Sequence, residues 1–293
     1  MRGAVAHPDA LPISGTVFYY PDIMATRTRT ETGSGQSQSL ERGLAILSAF
    51  KPATPELGIS ELARFLGLTR STSHRYVATL ARLGYLQQNP QSRKYRLGPR
   101  VLDLGFSAIN SMELRQIAAT HLQQLSDETG HTVNMAILDG TDIVYIERCR
   151  SQQQGQREID LNLHVGSRLP AYCTSMGKVL LAGLGEAERS AALDQVQFHQ
   201  RGPNTLIERR TLEEALDVVR EAGIAVNNEE LAYGLRSIAV PVRDSSGAVS
   251  AAINLAVHRS LVSMDDLVIR LSPALKRTAA EISARVGYRP AAT

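Results

Sequence analysis

The 293-residue sequence predicts an α+β chain in two unlike parts, a small helical part closed by a hairpin and a larger part with an antiparallel sheet flanked by helices. Three observations predict it. Apolar residues recur at helical spacing from residue 39 to 83, with interruptions at Pro52, Pro55, Gly67 and Gly84. From residue 131 onward, runs with two-residue alternation are mixed with helical stretches. Charge divides the same way. Residues 37–100 hold ten Lys or Arg against three Glu, a net +7; with residues 1–36 neutral and the whole chain at +3, residues 101–293 carry −4.

Residues 1–36 mix Pro, Gly, Ser and Thr without period and end in the low-complexity run TGSGQSQ, which predicts a disordered tail. Met24 opens a stretch that would itself make a short tail, so it is an alternative start to Met1. A first helix is expected over 39–50 from Leu40, Leu44, Leu47 and Phe50, with prolines stopping it. Ser60 is the expected cap of a short second helix, with Leu62, Ala63 and Leu66 inward and Gly67 ending it. Thr69 caps a third, whose buried stripe is Tyr76, Val77, Leu80 and Leu83. YLQQ and KYRL, separated by NPQSR, read as a hairpin. The order is that of a winged helix-turn-helix over 37–98. A linker helix over 99–111, broken near Gly105, leads to a second domain over 112–288 and a tail over 289–293.

That domain opens with a helix ending at Gly130, its inward residues Leu114, Ile117, Ala118, His121, Leu122 and Leu125. HTVNMAIL and IVYIERC follow as strands joined by DGTD, since Asp-Gly accepts positive φ. A strand is expected around 157–164, and helices at 175–183, 186–194 and 210–222. Strands at 224–227, 236–243 and 248–257 precede a last helix at 264–286.

On the third helix, Arg70, Ser71, Thr72, His74 and Arg75 gather on the face away from the stripe, beside the cap Thr69. Helix N-terminal N–H groups suit phosphate, and arginine pairs bidentately with guanine, so this face is the expected major-groove reader of double-stranded DNA. Arg93, Lys94 and Arg96 on the hairpin are expected to touch phosphate and position that helix. Solvated, non-binding faces are the alternative for both sets. One recognition helix per chain carries too few base contacts to specify a site, which predicts a homo-oligomer.

In the larger domain, Thr174 is the expected cap of a helix whose first residues Ser175, Met176 and Gly177 offer N–H groups to a carboxylate. In the last two strands, Ile238, Val240, Val242, Ile253 and Leu255 share one face, and Ser237, Ala239, Asn254 and Ala256 the other. The small polar face fits either a ligand cavity or close helix packing.

Several motifs, in order, carry a resemblance to a known family: SLERGLAILSAF, ISELARFLGLTRSTSHRYVATLARLGYL, YRLGPRVLDLG, LPAYCTSMGKVLLA and EELAYGLRSIAVPVRDSSGAVSAAINLAV. From about Gln38 to Tyr288 the chain resembles the IclR family of bacterial transcription regulators, and VGSRLPAYCTSMGKVLLA resembles its branch controlling aromatic-acid breakdown through the β-ketoadipate pathway. The resemblance implies a GAF-like effector domain, a dimer or tetramer, and control of catabolic genes by a small organic acid. Protocatechuate, 4-hydroxybenzoate and β-ketoadipate are the candidate effectors. It also implies a pocket at Ser175 and Met176, Asn227 and Ser237, and Asn254 and Ala256. Some relatives carry an acid where this chain has Asn227. Arg148, Arg168 and Arg236 are weaker candidates.

Other classes are disfavoured. The longest apolar stretch, 248–257, is far short of the roughly 20 residues of a membrane span, and no apolar segment follows Arg2 as a secretory signal requires, so a cytoplasmic protein is expected. Cys149 and Cys173 have no zinc-site spacing, and no metal or cofactor is expected. No GxSxG, Walker, HExxH or dinucleotide motif is present, and Cys173 with His164 reads as a buried thiol near a strand end, so no enzyme is expected.

Overall fold

The computed structural model describes residues 37–150 and 162–290, and the chain divides into two compact units between Phe106 and Ser107. The predicted tail and the alternative start at Met24 lie outside the described residues. So does most of the strand expected at 157–164.

In the first unit, α1 (Gln38–Ser48), α2 (Ile59–Leu66) and α3 (Arg70–Arg82) enclose a core of Ile46, Phe50, Leu62 and Val77. The hairpin β1 (Leu86–Gln88) and β2 (Tyr95–Leu97) adds Leu86 and Tyr95 to it. Tyr95 also bridges to Leu57, which ties the hairpin to the segment before α2. Between α2 and α3 the chain turns in three residues. Gly67 adopts φ 62°, a left-handed cap that a side chain would strain, and Thr69 starts α3 by accepting the Thr72 N–H at 3.2 Å.

Two expectations here are corrected. The cap of α2 is Gly58, not Ser60: the Glu61 carboxylate reaches back to accept the Gly58 N–H at 2.7 Å, which fixes the helix start without a capping side chain. Leu83 does not close the α3 stripe; it is exposed, and Ser73, one turn before Val77, is fully buried in its place.

The helix α4 (Arg100–Asn110) runs unbroken through Gly105, where nothing lies within 4 Å of a would-be Cβ. Glycine within a helix costs only about 1 kcal/mol and need not break it. None of the α4 residues is buried.

The second unit is built on a six-stranded, wholly antiparallel sheet in the order β5-β4-β3-β8-β7-β6. The strands are β3 (Thr132–Asp139), β4 (Asp142–Cys149), β5 (Arg168–Pro170), β6 (Ala225–Asn228), β7 (Leu235–Arg243) and β8 (Val249–His258). The turn joining β3 to β4 has Gly140 at φ 63°. Residues 162–164 form no strand; β5 is instead the three-residue Arg168–Pro170, with only Leu169 buried, which periodicity over so few residues does not reveal.

One face of the sheet carries Val133, Met135, Ile238, Val240, Ile253 and Leu255. Against it pack α5 (Glu113–Thr129) through Ala118, Leu122 and Leu125, and α10 (Ser272–Arg285) through Leu275, Ala279 and Ile282. The other face is covered by α6 (Ser175–Gly183), buried over nearly its whole length, with α7 (Glu186–Asp194) and α8 (Arg209–Ala222) alongside. The last helix is not uniform. It begins as α9 (Met264–Asp266) and widens into a π turn over Leu267–Leu271 before α10, whose first turn contains Pro273, a residue with no N–H to give the Ile269 carbonyl. Among the described residues no helix is long and apolar enough to cross a membrane.

Candidate functional site

The first unit presents the expected face on α3. Arg70, Ser71, His74 and Arg75 are exposed and Thr72 is half-buried, while Val77 anchors the opposite side in the core. The three hydroxyls at the helix start are linked, Thr69 Oγ1 lying 3.1 Å from Ser71 Oγ and 2.8 Å from Thr72 Oγ1, which fixes the cap while leaving it at the surface. Thr79 turns its hydroxyl back to the Arg75 carbonyl. On the hairpin the three cations differ. Arg93 sits at the loop with φ 58°, a left-handed conformation costly for a side-chain-bearing residue. Lys94 is drawn back to Glu61 at 3.4 Å, and Arg96 donates to Gln87 Oε1 at 3.0 Å.

The second unit holds a cavity of about 50 Å³ between α6 and the polar face of the sheet. Thr174, Ser175, Asn227, Ser237, Asn254 and Ala256 line it, six of the eight positions expected from the sequence. The register explains why. Ser237 of β7 lies opposite Ala256 of β8 and opposite Asn227 of β6, so all three fall on one patch. Ser175 Oγ meets Ser237 Oγ at 2.7 Å across it. Asn227 spans the base, donating to the Cys173 carbonyl at 2.7 Å and accepting the Glu230 N–H at 3.1 Å.

Met176 and Gly177 do not line the cavity. Met176 is fully buried in the packing of α6, and the Gly177 N–H is taken by the cap, donated to Thr174 Oγ1 at 3.1 Å. Of the three arginines named from the sequence, only Arg148 lines the cavity. Arg168 pairs with Asp139 and Asp142, and Arg236 bonds Asn228 Oδ1 and the Val262 carbonyl.

Residues that the sequence did not single out complete the walls. Asn134 is fully buried on β3, donating to Asn254 Oδ1 at 2.8 Å and accepting from Arg148 Nη1 at 3.0 Å. A polar residue in the continuous apolar run of β3 was the available signal. Leu231, Leu235, His258 and Leu261 complete the lining, Leu235 and His258 as the paired ends of β7 and β8, and Leu231 and Leu261 on the loops that follow β6 and β8. Those loops are tied together: Arg259 Nη1 lies 3.1 Å from Glu229 Oε1, and its guanidinium stacks over the Tyr233 ring at 4.6 Å. The Gly234 amide, and after it Arg259, holds the Glu229 carboxyl below the usual carboxylate range. Behind the cavity, the buried Lys178 and Glu230 pair at 2.5 Å, and burial raises the Glu230 carboxyl above its ordinary value despite that ammonium.

The thiols show no sign of chemistry. Burial pushes Cys173 up to about 12 and Cys149 up to about 11, and His164 Nδ1 lies 3.2 Å from Ser167 Oγ.

Comparison with known proteins matches both units. The model of the IclR helix-turn-helix domain matches residues 39–90, and that of the bacterial transcriptional regulator IclR C-terminal region matches residues 106–284. The HTH-type transcriptional regulator XynR of Escherichia coli is 38% identical over 251 residues, covering 86% of this chain and 98% of the relative. The Pca regulon regulatory protein of Pseudomonas putida is 38% identical over 237 residues, covering 81% and 80%. A solved IclR homologue from Microbacterium hydrocarbonoxydans, complexed with 4-hydroxybenzoate, superposes with a TM-score of 0.71 at 25% identity over 85% of this chain and 98% of that one. These relatives are transcriptional regulators, not enzymes.

Proposed function

From the premise that this chain belongs to the IclR family of bacterial transcription regulators, DNA-binding proteins by their helix-turn-helix, we propose that it controls catabolic genes in answer to a small organic acid held in the second unit. One observation carries the reading. Among the described residues, the cavity lining contains Arg148, His258, three hydroxyl groups of Ser and Thr beside the start of α6, and three asparagines, but no Asp or Glu. Such a lining favours an anion. The aromatic-acid branch is supported by likeness to the Pca regulon regulator and to the homologue complexed with 4-hydroxybenzoate. Protocatechuate, 4-hydroxybenzoate and β-ketoadipate are the acids to try. XynR, at equal identity, carries no aromatic acid in its name, which supports a second reading in which another carbon source is sensed. Calorimetry of the full chain against those three acids and a panel of sugar acids separates the two; heat only from sugar acids overturns the aromatic reading, and heat from no acid overturns both.

On the DNA side, Thr69, Arg70, Ser71, Thr72, His74 and Arg75 would enter the major groove, and Arg93, Lys94 and Arg96 would follow the backbone. The protein would act in the cytoplasm as a dimer or tetramer. Leu102, Leu104 and Phe106 on α4 and Leu40 and Leu44 on α1 support self-association, being large apolar side chains left exposed in the first unit. Sedimentation at micromolar concentration tests this; a monomer refutes it.

A further inference from the structure

Resting on the effector reading above, we infer that His258 is a binding residue of the cavity. It gives its Nε2 hydrogen to an uncharged oxygen of the effector, and so selects acids that carry a hydroxyl or keto group besides the carboxylate. His258 is the last residue of β8 and lines the cavity with Asn254 and Ala256, since side chains two apart on a strand point the same way. The contacts of its ring fix where the proton sits. The backbone N–H of Ser260, which can only donate, reaches Nδ1 at 3.1 Å. Nδ1 is therefore an acceptor, and the Ser260 hydroxyl 2.7 Å away meets a nitrogen with no hydrogen to give. A neutral imidazole carries one hydrogen, so that hydrogen lies on Nε2. Among the described residues the hydrogen bonds of the ring are those at Nδ1, and Nε2 has none. Gly234 keeps Nε2 clear: it sits at φ 82°, and a Cβ there would come within 3.0 Å of Nε2, nearer than to any other ring atom. The half-buried ring thus presents one donor of fixed identity to whatever fills the cavity.

The surroundings choose the oxygen. Leu235 is the register partner of His258, and the Leu261 amide donates to the His258 carbonyl at 3.0 Å, so both leucines of the lining flank it. Arg259, next in sequence, turns to Glu229 and Tyr233 and does not line the cavity. One neutral donor between leucines satisfies a hydroxyl or keto oxygen, whereas a carboxylate there would stay largely unpaired. The carboxylate belongs instead with the hydroxyls of Ser175 and Ser237 beside α6. Ser237 faces Ala256, two residues before His258, so the two positions lie about 7 Å apart along β8, a distance that one small acid covers.

Asparagine and glutamine separate the two ring nitrogens. The Asn amide oxygen stands near the place of Nδ1 and can take the Ser260 N–H, whereas the Gln amide NH₂ reaches the place of Nε2. The test is calorimetry of the full-length protein with the acid that binds the wild type most tightly among protocatechuate, 4-hydroxybenzoate, β-ketoadipate and the sugar acids. His258→Asn should weaken that binding about tenfold or more, and His258→Gln by less than about threefold. Removing the oxygen from the ligand checks the same contact from the other side: benzoate against 4-hydroxybenzoate or protocatechuate, adipate against β-ketoadipate, or a deoxy sugar acid against its parent. In the wild type the stripped acid should bind about tenfold more weakly, and in His258→Asn the two should bind alike. Losses that are equal in the two variants, or confined to His258→Gln, would overturn the inference and assign the ring to the turn at Ser260, leaving the effector reading intact. If neither variant folds, equal affinities within the ligand pair in the wild type would overturn it. Heat from no acid at all would remove both readings.

Discussion

Gly177 stands so close to Ala171 that a Cβ built on it would lie 2.1 Å from the Ala171 carbonyl oxygen. The contact seats the start of α6 on the tight turn of Ala171–Cys173, and so holds Ser175 at the cavity. Gly177→Ala is expected to destabilise the second unit by about 3 kcal/mol, since the nearest atoms its Cβ would meet are all backbone of Ala171. Gly105→Ala, in open space on α4, should instead stabilise by about 0.5–1 kcal/mol. Urea midpoints of the two variants check the contrast.

Ser73 is buried in the first unit, and among the described residues its hydroxyl has no hydrogen-bond partner. Removing an unsatisfied buried hydroxyl relieves its desolvation cost, so Ser73→Ala should raise stability by about 1 kcal/mol and leave DNA affinity alone. A lower melting temperature would show that the hydroxyl has a role the contacts do not reveal.

Arg70→Ala and Arg75→Ala should each weaken operator binding by about 1–3 kcal/mol where the residue reads a base, with little change in folding because both side chains are exposed. Arg93→Gly separates charge from shape: relieving the positive φ should stabilise the hairpin, while loss of a phosphate contact should lower the salt slope of binding by about 1. Titrations at several salt concentrations read both. Unchanged affinity in both α3 variants would rule out that face as the reader.

Ala256 lies on the cavity wall opposite Ser237, with space before it and not the dense packing that surrounds Met176. Ala256→Phe should fill the cavity and abolish the response to effector while operator affinity is kept. A reporter assay with and without the acid decides it, and a retained response would place the effector elsewhere.

The Glu229 carboxyl is depressed in the native protein by the Gly234 amide and Arg259. Its stabilising contribution is therefore complete above the ordinary value of 4.5 and is lost as pH falls through the native value. The difference in urea midpoint between the wild type and Glu229→Gln should be constant above about pH 5 and shrink below 4.5. A difference that grows on acidification would contradict the assigned role.

Much of this was legible in residue order. Helical stripes punctuated by Gly67, Gly84 and Gly130, and the alternation in β7 and β8, are local signals, and apart from the strand expected at 157–164 the elements stand within a residue or two of their expected bounds. What periodicity could not give was pairing. Asn134 enters the cavity because β3 lies beside β8, 120 residues on, and nothing near Asn134 in sequence announces that neighbour. The same holds for the rim, where Glu229 and Arg259 meet across 30 residues. A helix start suggests free donors at Met176 and Gly177, but the Thr174 cap, local in sequence, already takes the Gly177 N–H, and the close approach of Ala171 depends on the turn before α6, which spacing does not reveal.

The two cysteines, both in the second unit, are buried, Cys173 fully and Cys149 with 7% of its surface exposed, and burial holds both thiols protonated. An alkylating reagent can then reach Cys173 only when that unit opens, and the rate at which Cys173 is labelled becomes a stopwatch for its opening alone. The first unit has no cysteine among its described residues, so it stays silent in such an experiment. A single cysteine placed on the exposed face of α3 would report on the other half of the molecule through the same chemistry, distinguished by its speed.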